Sequence, residues 1–458
     1  MKLYNSLSRR VEDFQPLDPP RVGLYTCGPT VYNFQHVGNY RTYVFEDTLK
    51  RALNLCGFQV RHVMNITDVG HLVSQADEGE DKMEVGASRE GKTAWEIARI
   101  YTDAFLADCR DLNIIPPDVL CKATEHIPEQ IVLIRRLEDK GLIYRTSDGM
   151  YYDTARFPAY ARLAGESHIA GIREGFRVGV NEEKRAATDF AVWKFSPKDS
   201  QRQMEWDSPW GKGFPGWHIE CSAMAMKYLG ETFDIHCGGI DHVPIHHTNE
   251  IAQAEGATGK PFVRFWMHSE FLLMNSAKMA KSAGGFVTVA HLKANGFDPL
   301  DFRYHCFSAH YRKQLDFTWE SLGSSKTARR RLCEAALAVK DAPLKPACAE
   351  HRQAFRGAIE DDLNMPAALS SVWDCLHSGV PAGAKRAFLE DAEAVLGLGL
   401  LREATAASAS AEEQALLDRR VQARADKDFK ASDDLRKELA ARGILVEDTK
   451  QGQRWRRS

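Results

Sequence analysis

Nowhere in the 458 residues do about 18 apolar residues run together, and the opening MKLYNSLSRRVEDFQPLDPP lacks an apolar stretch. Neither a membrane span nor a secretory signal is readable, so the expected address is the cytoplasm. An excess of one charge is also missing. Sixty Lys+Arg stand against 63 Asp+Glu, a formal net charge of −3, which argues against coating nucleic acid through bulk charge. No internal repeat or low-complexity tract is present, and 33 Gly with 18 Pro is ordinary usage, which excludes collagenous and wholly disordered classes. The ten cysteines (27, 56, 109, 121, 221, 237, 306, 333, 348, 375) are scattered, which makes a disulfide framework a poor reading. What is there is a chain 44% hydrophobic and 27% charged, long enough for about three domains.

The pattern opens with an apolar run, Val22 to Cys27, a turn at Cys27-Gly28-Pro29, and a helical stretch from Gly38 to Leu55. A second strand-like run, Phe58 to Ile66, follows. This βαβ alternation predicts a parallel sheet with ligands at the carboxyl ends of its strands. Helical spacing covers Thr93–Leu112 and Pro128–Lys140, and residues 126–215 then read as an insertion with one strand at Met150–Tyr152. Sheet-and-helix pattern resumes near Trp217, with a helix to Leu229, a strand at Thr232–His236, a helix entered at His246 and an apolar stretch from Phe262 to Met274. Beyond Leu315 the composition is helical to about residue 400. Ala404–Ala411 reads as a linker, followed by helices at Glu412–Asp426 and Phe429–Ala441 and a small hairpin.

Two short motifs can carry chemistry. His36-Val37-Gly38-Asn39 opens the helix after the first strand, where Gly38 admits a close ligand and the helix N-terminus, His36 and Asn39 suit phosphate oxygens. Lys278-Met279-Ala280-Lys281-Ser282, before Gly284 and Gly285, offers a cationic loop for a pyrophosphate leaving group. Either alone reads as a capping loop or a solvated lysine pair. Their order and separation make the combination specific.

Together they resemble the HIGH and KMSKS signatures of class I aminoacyl-tRNA synthetases. Further blocks resemble the cysteinyl-tRNA synthetase family: YTCGPTVYN (25–33), NITDVGH (65–71), GWHIECSAM (216–224), DIHCGGIDH (234–242), HHTNEIAQ (246–253) and EDTKQGQRWRR (447–457). The likeness spans the chain. It implies an α/β class I fold: a Rossmann-type parallel-sheet catalytic domain (1–125 and 216–260) with a connective insertion (126–215). A linking segment with the KMAKS loop (261–314), a helical bundle (315–403) and a C-terminal anticodon-binding domain (404–458) would follow.

The resemblance also implies roles. Cys27, Cys221, His246 and Glu250 match the family's zinc ligands, with His247 and Cys237 as alternatives. Two thiolates, an imidazole and a carboxylate suit zinc, and His246 and Glu250 are spaced i, i+4 on one helical face. A substrate-open zinc would separate cysteine from serine, because an apolar pocket discriminates by only about 1–3 kcal/mol. ATP with Mg2+ would meet His36, Gly38, Asn39, Lys278 and Lys281, with Gly239 and Asp241 at the ribose; Thr67, Trp217 and His236 would border L-cysteine. Arg424, Asp433 and Asp448 would read the anticodon of tRNA(Cys), Phe429 stands where the family often has Trp, and Lys326, Arg329, Arg330 and Arg331 offer phosphate contacts. Asn39 and Ala280 depart from the signatures but leave His36 and both lysines. A monomer is expected. The rivals are a ligase joining cysteine to an amino sugar, which has no use for residues beyond about 400, and a noncatalytic tRNA-binding paralogue.

Overall fold

The computed structural model describes the chain apart from residues 71–80, 175–182, 198–201, 275–276, 279–285, 403–410, 450–451 and 458. Its centre is a five-stranded parallel sheet: β1 (Arg21–Thr26), β2 (Gln59–Ile66), β3 (Val119–Lys122), β4 (Phe233–Gly239) and β5 (Val263–Ser269). The order is β3-β2-β1-β4-β5, the doubly wound arrangement, and it reverses direction between β1 and β4. At that switch point the connections leave to opposite sides and a crevice opens at the carboxyl ends. β2 becomes fully buried toward its carboxyl end, and β4 is buried until Gly239, as strands covered on both faces are.

The helix Val37–Leu55 joins β1 to β2. It packs Tyr40, Val44, Leu49 and Leu53 into the main core. The helix Ala94–Asp111 starts at a capping box in which Thr93 Oγ1 accepts from the Glu96 amide and Glu96 accepts from the Thr93 amide at 2.9 Å. The sequence treats Phe262–Met274 as one stretch, but the structure divides it. Val263–Ser269 closes the parallel sheet, whereas Leu272–Met274 belongs to a second sheet with Ala277–Lys278 and Leu315–Phe317. A continuous apolar run has no period from which to read such a change.

Between β3 and β4 lies a four-stranded antiparallel sheet: Ile143–Arg145, Gly149–Tyr152, Phe190–Phe195 and Gly213–Pro215. Only the second of these strands was expected. Phe190–Phe195 is buried on both faces, so it lacks the alternation that marks a half-buried strand. Met150, Tyr152, Phe190 and Trp193 form its own core.

Helices Trp319–Leu337, Ala349–Glu360, Met365–His377 and Ala382–Leu396 share one hydrophobic cluster with the sheet, in which Phe355, Val372, Phe388 and Leu396 join Leu24 and Val44. The fully buried Arg303 bolts these parts together: Nε donates to Leu396 O (2.7 Å) and a guanidinium NH2 to Asp47 Oδ2 (2.5 Å) on the Val37–Leu55 helix. The C-terminal helices Ala411–Ala425 and Phe429–Ala441 and the hairpin Ile444–Thr449/Gly452–Arg457 instead have a separate small core of Leu416, Leu417, Leu435, Leu439, Ile444 and Val446. Among the described residues no helix is long and apolar enough to cross a membrane.

Candidate active site

A cleft of about 260 Å³ opens at the carboxyl ends of β1, β4 and β5, as the sheet order requires. Cys27, Gly28, His36, Gly38, Asn39, Thr67, Trp217, Cys221, Gly239, Asp241 and His246 all line it. The chain leaves β1 through Gly28, whose amide donates to Asn65 Oδ1 at 2.9 Å. A Cβ there would lie 1.7 Å from the Asn65 carbonyl oxygen, so only glycine allows β1 and β2 to deliver their loops side by side.

His36 is the N-cap of the Val37–Leu55 helix. Its Nδ1 accepts from the Asn39 amide and Asn39 Oδ1 accepts from the His36 amide, both at 3.2 Å. This reciprocal box accounts for Asn39 in the signature. Because Nδ1 accepts, the proton of the neutral imidazole sits on Nε2 as a donor. Described residues on either side of the second motif are tied to this helix. The Val37 amide donates to Val287 O (2.8 Å), Thr42 Oγ1 meets Ser269 Oγ (2.7 Å), and the buried Arg41 guanidinium caps the carbonyls of Phe271 and Lys313. Lys278 pairs with Leu273 through the backbone; its side chain, and Ala280, Lys281, Ser282, Gly284 and Gly285 altogether, lie outside the described residues. The same holds for the expected linker up to residue 410.

The ligand atoms of Cys27, Cys221, His246 and Glu250 lie within 4.8 Å of one another, and all four residues are buried. Cys27 ends β1, Cys221 sits on the helix Trp217–Leu229, and Glu250 is in the first turn of the helix Thr248–Thr258. His246 lies in a π-turn, Val243–His247, not in an α-helix as its spacing suggests. It still reaches Glu250: Nε2 and Oε1 are 2.9 Å apart, and this carboxylate oxygen, though buried, makes no properly directed hydrogen bond. Two donor atoms so placed point at a shared position, as ligands of one cation do.

The local charges agree with that arrangement. Burial works against charge on His246, yet Glu250 and Cys221 hold its pKa up to about 10. A hydrogen bond from Cys27, opposing burial, brings Cys221 down to about 7. Burial opposes ionisation of Glu250, but His236 and His246 keep it near 2. Burial pushes the Cys27 thiol up. Trp217 leans over His246 with ring centroids 4.4 Å apart, forming the wall beside this group.

His236 is placed behind that wall. It is fully buried, with Nε2 2.9 Å from Glu250 Oε2. Glu220, which the sequence reading passed over, lies fully buried near Thr67, and burial raises its pKa, with Asp68 adding to the effect. Its position in WHIEC, one residue before Cys221, was the available signal. In the C-terminal module Arg424 and Asp433 are exposed, whereas Asp448 is clasped by both guanidinium nitrogens of the buried Arg420 (3.0 and 2.9 Å) and also meets Arg424 at 3.1 Å. Arg420 was missed because its helix is otherwise richly charged. Of the basic cluster, Lys326 donates to Gly296 O (2.7 Å) and Arg329 pairs with Asp301 (3.0 Å), so these two serve packing.

The doubly wound sheet, the cleft at its switch point and the helix N-terminus that lines it are the arrangement of a class I aminoacyl-tRNA synthetase. The family of tRNA synthetases class I (C) catalytic domain matches residues 13–327, and the cysteinyl-tRNA ligase anticodon binding domain matches residues 407–456. The chain belongs to the cysteine–tRNA ligase family: it is 51% identical to cysteine–tRNA ligase 1 of Burkholderia lata over 99% of this chain and 96% of that one. It is 42% identical to cysteine–tRNA ligase of Treponema denticola over 100% and 99%. In fold it is similar to methionyl-tRNA synthetase of Mycobacterium tuberculosis bound by methionyl-adenylate, with TM-score 0.56, 16% identity and coverage of 82% and 90%. A LeuRS–tRNA–LeuAMS complex from Agrobacterium radiobacter gives TM-score 0.60 at 12% identity, covering 86% of each chain.

Proposed function

We propose that the protein activates L-cysteine with ATP and transfers it to tRNA(Cys), selecting the thiol at a metal held by Cys27, Cys221, His246 and Glu250. The observation that carries this reading is the buried S2NO donor set at the cleft wall, assembled from distant segments. Its softness suits zinc. When bound, zinc would supply an acceptor position that favours a thiolate over an alcohol.

In the first step the cysteine carboxylate attacks the α-phosphorus of ATP, the bond to the bridging oxygen breaks, and pyrophosphate leaves. In the second, a hydroxyl of the terminal tRNA ribose attacks the mixed-anhydride carbonyl and AMP departs. The chain supplies positioning and charge rather than a nucleophile. His36, through its Nε2 proton, and Asn39 at the helix N-terminus stand for the phosphates, with Gly38 admitting them closely. Lys278 and Lys281 neutralise the departing pyrophosphate, and Mg2+ accompanies ATP. Gly239 and Asp241 hold the ribose. Thr67 and Trp217 border the amino acid, with His236 supporting Glu250 from behind. Arg424, Asp433 and Asp448 face the anticodon, the last through the Arg420 clasp. The reading includes a cytoplasmic, monomeric enzyme organised in the six segments delimited above.

The test is cysteine-dependent ATP–pyrophosphate exchange together with charging of total tRNA, with serine as competitor and bound zinc assayed. Exchange and charging specific to cysteine are expected. Exchange without tRNA charging would transfer the assignment to a ligase acting on a small amine. No exchange at all would leave a tRNA-binding protein.

A further inference from the structure

Glu250 is bidentate in its neighbours. Oε1 faces His246 and Oε2 faces His236, each at 2.9 Å. Behind the front set a second group of four, Cys27, His236, His247 and Glu250, also has its ligand atoms within 4.8 Å of one another, and all are buried. The two sets share Cys27 and Glu250. They differ in access: Cys27, Cys221 and His246 line the cleft, whereas His236 and His247 do not.

The donor atoms, 2.9–3.9 Å apart where they pair, stand around the spacing that one tetrahedral ion imposes. Metal–ligand bonds of about 2.0–2.3 Å place tetrahedral donors about 3.3–3.8 Å apart. Cys27 Sγ lies 3.3 Å from His247 Nε2, and His247 Nε2 lies 3.9 Å from Glu250 Oε1. An outer contact orients the His247 ring. His247 Nδ1 meets His268 Nε2 at 2.8 Å, and His268 Nδ1 meets Ser6 Oγ at 2.7 Å; with the protons of this chain running outward, the tautomer a metal selects, the His247 Nε2 lone pair faces Cys27. His236 Nε2 donates to Glu250 Oε2 at 2.9 Å, a proton that a bound metal would displace, and its Nδ1 lies 3.3 Å from the Cys237 carbonyl. Gly238 keeps this space clear: a Cβ there would approach His247 Cε1 to 2.8 Å and His242 Nδ1 to 2.7 Å. A thiol, two imidazoles and a carboxylate, with the second nitrogen of His247 held from outside, make a donor set of the kind a metal takes.

We propose that Cys27, His236, His247 and Glu250 form a second, cleft-remote holding position for the same metal ion. It is reached by exchanging Cys221 and His246 for the two rear histidines while Cys27 and Glu250 stay bound. This position is closed to substrate, so it retains the ion without presenting it to a thiol. The proposal rests on the metal reading above, and the test separates the two.

Metal-free full-length protein is titrated with Co2+, reading stoichiometry and the sulfur-to-cobalt charge-transfer band. Wild type is expected to bind about one ion with the band of two thiolates. Cys221→Ser should still bind about one ion, with the band near half, because only Cys27 remains. Adding His247→Ala to Cys221→Ser should abolish binding. Because Cys221→Ser could disturb folding, His246→Ala is the parallel variant: it too should retain Co2+, with the one-thiolate band, and lose it on addition of His247→Ala. Loss of Co2+ in both single variants, or equal binding with and without His247, overturns the holding position while leaving the front site intact. Failure of wild type to bind Co2+ overturns both readings.

Discussion

The active-site cleft and the C-terminal module solve opposite problems. The cleft hides its chemistry: Cys27, Cys221, His246 and Glu250 are 5%, 1%, 2% and 0% exposed, and they arrive from separate elements. The C-terminal module shows its side chains: Arg424 and Asp433 are exposed and Phe429 is 61% exposed, all on two successive helices. Holding one small thiol apart from its oxygen analogue requires a dry, pre-formed donor set, because the selective interaction is worth most where water is excluded. Contacting unpaired bases requires groups that remain outside. The cleft therefore depends on the main core, which runs unbroken from the sheet into the helical bundle, whereas the module has its own core.

The widest contrast comes from Cys27, which both four-residue groups use. Cys27→Ser is expected to lose bound metal and to lower cysteine-dependent ATP–pyrophosphate exchange by about 10³-fold, the several kcal/mol that a metal contributes. A variant that keeps exchange without metal would break the distinction between a hidden, chemically specific region and an exposed one.

Next in size is the shared core. Arg303→Ala strips the buried Asp47 of one of its two arginine partners, leaving Arg51, and should cost about 2–3 kcal/mol in urea unfolding. Because Asp47 lies on the helix that begins at His36, exchange should weaken along with stability. Stability lost without any effect on exchange would separate the helical bundle from the cleft.

Acid should also distinguish the regions. His62, in β2 beside β1 and hydrogen-bonded to Thr26 Oγ1 at 2.9 Å, has its pKa lowered to about 3 by burial and by Lys50, against the opposing pull of Asp118 and Asp47. Its folded pKa lies below the unfolded value, so the unfolded chain takes up the proton first and stability falls as pH drops below about 6.5. The loss between pH 7 and pH 5 is about 2 kcal/mol. His62→Asn should flatten this limb of the stability curve in the catalytic region, while residues 411–457, which have no histidine, should not share it.

The smallest effect belongs to the module. Arg420→Ala leaves Asp448 to Arg424 and removes a buried guanidinium, at about 1–2 kcal/mol for a pair whose carboxylate is one-third exposed. Charging should show a raised KM for tRNA with ATP–pyrophosphate exchange unchanged. A fall in exchange would show the two regions to be one energetic unit.

The sequence carried unequal amounts of information about these regions. The helix expected from Gly38 to Leu55 is found at Val37–Leu55, because glycine, caps and period are local signals. The parallel-sheet class was legible from the βαβ alternation at residues 22–66. The strand Phe190–Phe195 was not, since burial on both faces erases alternation. The i, i+4 spacing brought His246 and Glu250 to the same face, but the π-turn that aims His246 and His247 in different directions has no local sign. Nor did charge patterning separate Arg420, buried on Asp448, from exposed Arg424 one turn away.

By itself the sequence determined the family, the order of the motifs, the types of ligand available and the main helices, because periodicity, caps and glycines act over a few residues. Only the tertiary structure decided which atoms meet: that Cys27 reaches Cys221 and His247, that Glu250 divides its oxygens between His246 and His236, and that Arg41 and Val37 tie the helix to the segment carrying the second motif. The physical reason is that most of these contacts join distant parts of the chain through the strand order of one sheet, and strand order has no local code.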